Sequence, residues 1–412
     1  LTMPARVRRA LGLSCAALLA GAALLLPLAG CAPAPPAPTA WGAGGEGNAP
    51  ALRIIGTAHI APGTEWGAST FGGISGIDRN PATGEYLLIS DDRSQHAPAR
   101  IYTARLAYDA HGMAQPEITG VHWLRRADGQ PFADARRPTP GVDVPDAESV
   151  RWLPGGRQFL WSSEGDFARG FGPQLRAARS DGGHLRTWAL PAALQPTADR
   201  RSGPRRNGTL EGIALTPDGR SAWLAMELPW LQDGPPARHG QPGAPLRLTL
   251  LELASGQALR QIAYQPDAAP RPRRLPFGPE LNGVSDILAD GPHHLLVLER
   301  AYAAGNGFAA RLYRIDTRTG SDTLALPALS PGNHTPAPKT LVADFATLGL
   351  GVDNLEGMSW GAPLADGSCV LVLVSDDNFN PAQTTQFIAA QYQRQYRRGS
   401  AGNAPCGTTG AP

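Results

Sequence analysis

The chain has 412 residues, 42% hydrophobic and 17% charged, which is ample for a sizeable core and excludes a disordered tail protein. Its 49 glycines and 40 prolines far exceed the roughly 12% these two residues ordinarily supply; with no collagen period, they exclude a helical bundle and fit a turn-rich, all-β protein. The 37 basic and 35 acidic residues nearly cancel, no basic run suggests nucleic acid, and Lys339 is the only lysine, so anion contacts fall to arginine.

Arg6, Arg8 and Arg9 precede an uncharged apolar stretch from Leu11 to Leu28. That order predicts an export signal. The stretch ends in Leu28-Ala29-Gly30-Cys31, which resembles the lipobox of bacterial lipoproteins. The resemblance implies a signal peptide over residues 1–30, acylation at Cys31, and a membrane attachment through that lipid. Ala32 favours the outer membrane, facing the periplasm. An uncleaved anchor or an ordinary secretory signal is the alternative. Residues 31–50, rich in Pro, Ala and Gly, read as a tether without a core. No second apolar run approaches the ~20 residues that span a bilayer.

From residue 51 the pattern changes to short apolar strands. Leu52–Ala58 is the first. A motif then recurs five times: a Ser or Glu, a small or polar residue, and an apolar one. The copies are Ser75-Gly76-Ile77, Glu148-Ser149-Val150, Glu211-Gly212-Ile213, Ser285-Asp286-Ile287 and Glu356-Gly357-Met358. Each is followed, after a Gly, Pro or Asn turn, by an apolar run ending in an acid. These runs end at Asp91, Glu164, Glu227, Glu299 and Asp376, at gaps of 16, 16, 16, 14 and 20 residues. Third strands follow at Arg100–Leu106, Leu246–Leu253 and Arg311–Ile315. Each unit therefore reads as a small antiparallel sheet, and radial repetition of such sheets is a β-propeller. Five blades are expected over residues 51–398, with 399–412 as a tail. The last blade is short of one strand, which Leu52–Ala58 would supply. A sixth blade hidden in the long insertions, a sandwich, or an open repeat array are the alternatives. Cys369 and Cys406 suggest one disulfide tying the tail to the last strands, with two free thiols as the other reading.

Eight of the ten repeated positions are carboxylates: Asp91, Glu148, Glu164, Glu211, Glu227, Glu299, Glu356 and Asp376. Asp92 and Asp377 double two of them. The same offset in every blade puts these residues on one edge of each sheet, hence around one mouth of the central channel. Such a cluster raises its own pKa values unless arginines or cations compensate it. Arg93 and Arg300 are placed to do so and to hold a substrate anion. Calcium is the cation that suits carboxylate oxygens, with Asp91, Asp92, Glu164, Glu227, Glu299, Asp376 and Asp377 as candidate ligands. The competing reading is structural: recurring acids can bind backbone N–H groups of neighbouring blades.

Phe71-Gly72-Gly73-Ile74-Ser75-Gly76-Ile77, Ser90-Asp91-Asp92-Arg93, Asn207-Gly208-Thr209-Leu210-Glu211, Asp353-Asn354-Leu355-Glu356 and Ser375-Asp376-Asp377-Asn378 together resemble the esterase-like phytase family of bacterial secreted proteins and lipoproteins. The likeness runs in order from about Phe71 to Gln391. It implies phosphoester hydrolysis supported by the repeated acids on a small phosphorylated substrate. The alternatives are a non-catalytic propeller binding a glycan, peptide or protein at the cell envelope, and a lactonase-type hydrolase. A serine nucleophile at Ser75 is disfavoured, because sister repeats carry Glu there. A monomer is expected.

Overall fold

Apolar runs that are buried on both faces, cut every five to ten residues by Gly and Pro turns, can only stack as layered sheets. The computed structural model describes residues 51–394 and Cys406, and regular structure there is almost wholly β. Strand β1 (Ala51–Ile60) and a short hairpin, β2 (Glu65–Trp66) and β3 (Ser69–Thr70), come first. Blade 1 holds β4 (Ile74–Arg79), β5 (Tyr86–Ser90), β6 (Arg100–Arg105) and β7 (Glu117–Trp123). Blade 2 holds β8 (Ala147–Trp152), β9 (Gln158–Ser163), β10 (Gln174–Arg179) and β11 (His184–Trp188). Blade 3 holds β12 (Leu210–Leu215), β13 (Ser221–Met226), β14 (Leu246–Glu252) and β15 (Ala258–Tyr264). Blade 4 holds β16 (Glu280–Ala289), β17 (His294–Ala303), β18 (Gly307–Asp316) and β19 (Lys339–Asp344). Blade 5 holds β20 (Asn354–Trp360), β21 (Cys369–Asp376) and β22 (Thr385–Gln393), and β1 completes it.

Each blade is a four-stranded antiparallel sheet, and in the last the order is β1-β22-β21-β20. Ala51 pairs with Gln393 and Ile60 with Thr385, so the first strand closes the ring non-covalently. The protein is a five-bladed propeller, as the five repeats predicted. Five apolar layers fill the junctions between neighbouring blades, such as Ile89, Val150, Phe159 and Trp161 between blades 1 and 2, and Leu298, Leu312, Met358 and Leu373 between blades 4 and 5. Every sheet thus buries both faces, which is why its strands read as continuous apolar runs rather than alternating ones. Cys369 at the start of β21 is bonded to Cys406, with Cα atoms 5.4 Å apart. Cys31 and the leader lie outside the described residues.

The inner strands β4, β8, β12, β16 and β20 surround the axis. On it, the Arg151 guanidinium of blade 2 meets the Asp286 carboxylate of blade 4 at 2.7 and 2.9 Å. The Asp286 carboxylate also accepts the Met358 backbone N–H at 2.9 Å, and Arg151 donates to the Ile77 carbonyl at 2.9 Å. Four blades are therefore joined across the centre. This buried pair forms a floor, and the acid end of the channel is a cup.

Candidate functional site

The inner strand of every blade carries a β-bulge at the same height. Pairing with the second strand skips Ser75, Glu211, Ser285 and Glu356, and skips Glu148 with Ser149 in β8. These are the first residues of the five repeats. A bulge frees one residue from the ladder and re-aims its side chain. In three repeats the next residue is a glycine that lets the neighbouring inner strand come close. A Cβ on Gly76, Gly212 or Gly357 would meet that strand's backbone at 2.6, 2.8 and 3.0 Å.

The register also fixes the second tier. Ser90, Ser163, Met226, Glu299 and Ser375 pair with the residue just before each bulge. Asp91, Glu164, Glu227, Arg300 and Asp376 come next and reach the mouth. In the fourth repeat the position belongs to Arg300, and Glu299 is not part of the cluster. Successive strand residues face opposite sides, so Glu299 turns into the junction with blade 3. There it accepts hydrogen bonds from Tyr264 Oη and Asn282 Nδ2, both at 2.6 Å, and pairs with Lys339 Nζ at 2.6 Å. This corrects the placement of Glu299 among the mouth acids.

Two overlapping carboxylate groups stand at the mouth. One oxygen each from Asp146, Glu148 and Glu164 lie within 4.8 Å of one another, and so do oxygens from Glu164, Glu211 and Glu227. Asp146 was missed by the repeat comparison, because no sister copy has an acid two residues before its motif. Glu164 accepts the Gly208 and Thr209 backbone N–H groups at 2.6 Å, so part of its role is to hold the next blade. Glu148 and Glu211 are only 7% and 6% exposed, and neither accepts a hydrogen bond or makes an ion pair among the described residues. Asp91 is half-buried and equally without a partner there.

Two arginines serve this cup. Arg300 Nη2 lies 3.3 Å from Glu227 and 3.1 Å from Glu356. Arg93 lies 3.6 Å from Asp146 and 3.5 Å from Asp166. Asn354 Nδ2 bridges Glu356 and Asp376 at 2.7 and 3.2 Å. Asp92 and Asp377 are differently employed. The oxygens of Asp92 are taken by the Gln95 and Ala97 backbone N–H groups and by buried Arg100. Asp377 accepts from Gly73 and Phe379 N–H. Both hold loops, which argues against their being ligands.

Two cations cannot balance this many carboxylates, and the pKa values follow. Burial, then repulsion from Asp146, pushes Glu164 up to about 7, against the donated backbone hydrogen bonds. Burial raises Glu227 to about 7 although Arg300 opposes it. Burial raises Asp146 to about 6 against Arg93. Glu148 and Glu211 are held well above the usual carboxylate range by burial and then by repulsion, chiefly from Glu211 and Glu227 respectively. Burial, then Asp376, does the same to Asp91, and burial, then Glu356, does so to Asp376. Burial would lower Arg300, but Glu227, Glu356, Glu211 and Glu148 outweigh it and raise it. The donor set, all hard oxygens with two buried carboxylates lacking any donor, suits a divalent cation such as calcium.

A larger cavity of about 570 Å³ lies on the same face, between the β17–β18 hairpin and the β21–β22 loop. Tyr302 and Phe308 line it with ring centroids 4.8 Å apart, beside Asn380, Gln383 and Gln386. At the opposite end of the channel, a cavity of about 260 Å³ is lined by Asp78, Trp152, Leu288 and Trp360.

Comparison with known proteins gives the following. A family model described as phytase-like, esterase-like activity of phytase, matches residues 69–379. No curated protein matches. Among solved structures, the Bacillus subtilis arabinanase Arb43A is similar at 12% identity and a TM-score of 0.38, over 78% of this chain and 95% of that one. The Cps50 (Swd1) β-propeller domain of Myceliophteria thermophila is similar at 11% identity and a TM-score of 0.32, over 80% and 98%. The Dos1 propeller is similar at 5% identity and a TM-score of 0.31, over 77% and 68%. Likenesses this distant carry no argument; the propeller rests on the strand topology of the chain itself.

Proposed function

The chain belongs to the phytase-like family named for esterase-like activity of phytase, and from that premise we propose that its acid cup is the centre of a metal-assisted phosphoester hydrolase. The observation that carries this reading is the pair of carboxylate groups joined at Glu164, in which buried Glu148 and Glu211 have no donor of their own. Asp146, Glu148, Glu164, Glu211 and Glu227 would hold calcium. When bound, the ion supplies charge to a phosphate oxygen and lowers the pKa of water. Arg300 and Arg93 point guanidinium groups at the same cup and orient the phosphate. Asp91, half-buried and with its carboxyl pushed up by burial and then by Asp376, is the group suited to hand a proton to the leaving oxygen. The buried Arg151–Asp286 pair lies across the axis beneath the cup.

The test uses soluble protein from residue 51 onward, assayed on p-nitrophenyl phosphate and bis-p-nitrophenyl phosphate with calcium or with EDTA. Calcium should raise both activity and melting temperature. Glu164→Gln with Glu227→Gln should remove both effects. Calcium without influence on either would sink the hydrolase reading. A second reading, a binding module, is favoured by the Tyr302–Phe308 cavity with its planar amides. A glycan array bound by wild type and by the Glu164/Glu227 variant alike would support it.

The same reading includes export and a lipid at Cys31. Intact-mass analysis of protein from membranes should find the acylated cysteine at the mature N-terminus; a leader removed elsewhere would exclude it.

A further inference from the structure

Residues 265–279 connect β15 to β16 on the acid face. Between Asp267 and Glu280 the loop carries Arg271, Arg273 and Arg274, four prolines and no acid. The two flanking acids are already engaged: Asp267 pairs with Lys339 at 2.7 Å, and Glu280 accepts the Arg273 and His239 backbone N–H groups. The loop is firmly seated. Arg274 and Leu275 donate their N–H groups to the Ala304 carbonyl at 2.8 and 3.2 Å, and Asn306 Nδ2 donates to the Pro272 carbonyl.

Despite this anchoring, the loop turns its large apolar side chains outward. Phe277 is 75% exposed, the most of any large apolar side chain among the described residues, and Leu275 is 48% exposed. Arg271 and Arg274, both exposed, have side chains without a hydrogen bond or ion pair among the described residues. Arg201 and Arg206, on the loop between blades 2 and 3 of the same face, are likewise exposed and unpaired. A rigid tip of aromatic and aliphatic groups set among free guanidinium groups matches the boundary between phosphate headgroups and acyl chains. A soluble polyanion would satisfy the arginines and leave Phe277 in water.

We propose that the loop over residues 265–279 docks the acid face onto an anionic lipid surface, with Phe277 and Leu275 entering the headgroup boundary and Arg271 and Arg274 contacting lipid phosphates. The prolines and the backbone hydrogen bonds hold the tip in its docking shape beforehand, so little ordering accompanies binding. The proposal stands apart from the hydrolase reading.

Protein spanning residues 51–412 holds every strand of the ring and both bridged cysteines but no leader, so no lipid anchor contributes. It should co-sediment with vesicles of phosphatidylcholine mixed with phosphatidylglycerol, and not with phosphatidylcholine alone. Phe277→Ser with Leu275→Ser should weaken this roughly tenfold or more. Arg271→Gln with Arg274→Gln should weaken it similarly and flatten its salt dependence. Melting temperature should stay unchanged in both variants, since neither pair of side chains supports the core. Equal binding to both vesicle types, or binding indifferent to Phe277, overturns the proposal. No binding to either also overturns it.

Discussion

Buried carboxylates at the mouth make the apo protein sensitive to pH in an unusual direction. Glu164 and Glu227 rise from an ordinary 4.5 to about 7 in the fold. Both bind a proton more tightly folded than unfolded, so folding takes up protons across that window. Stability is then fully expressed below about 4.5 and falls as pH rises towards 7, by an amount on the order of a few kcal/mol. Urea titrations in EDTA at several pH values should show the fall, and calcium should flatten it by favouring the ionised form. A stability that rises with pH in EDTA would mean the cup is compensated by something else. Gly73 tests the same cup sterically. Its φ is +64°, and a Cβ there would collide with Asp91 Oδ1 and the Phe379 ring. Gly73→Ala should cost about 1–3 kcal/mol and reduce phosphatase turnover, whereas Gly155→Ala, also at positive φ but facing open space, should cost stability without touching turnover.

At the scale of the strand, the sequence was legible where pattern and structure share a period. Apolar runs marked the strands, and the five motifs marked the inner strand of each blade. What hid was pairing. A bulge has no sequence signature unless its partner strand is known, so the reason for a recurring Ser or Glu stayed invisible. The fourth repeat shows the consequence. Its shortened gap of 14 residues was the only sign that Glu299 lay out of register, and one residue of slip sends a side chain to the other face. In the sequence Asp286 is only the polar middle residue of a motif, yet it pairs with Arg151 across the axis. The out-of-register Glu299 makes its own prediction. It is 1% exposed and is neutralised by the sole lysine, whose Nζ also lies 4.1 Å from the Tyr313 ring centroid and 5.0 Å from that of Tyr264. Lys339→Met leaves a buried carboxylate without its cation and should cost roughly 3–5 kcal/mol. Lys339→Met with Glu299→Gln should recover most of that loss in the same urea titration. If the double variant is no better than the single, the lysine acts through packing and not through charge.

Across the whole molecule, a propeller is only as closed as its last blade. Repeat counting found both the blade number and the missing strand, because a fifth motif so near the C-terminus left too little chain for a full sheet. Two devices hold that blade: β1, hydrogen-bonded along β22 from Ala51 to Ile60, and the Cys369–Cys406 bridge. They should differ in consequence. β1 buries Leu52, Ile54 and Ile55 in the layers on either side of blade 5, and its absence would expose the β22 edge as well as those layers. At about 1.5–3 kcal/mol per buried aliphatic side chain, losing these three alone is comparable to the 5–15 kcal/mol stability of an ordinary domain. The bridge closes a loop of 37 residues, for which chain entropy gives roughly 4 kcal/mol at most. Reduction with dithiothreitol should therefore lower the melting temperature of a still cooperative, folded protein. A chain starting at residue 61 should not fold, and should regain its β circular dichroism only when a peptide of residues 51–60 is supplied. If the shortened chain folds alone, the ring does not depend on its first strand, and the burial of Leu52 and Ile54 is incidental to closure.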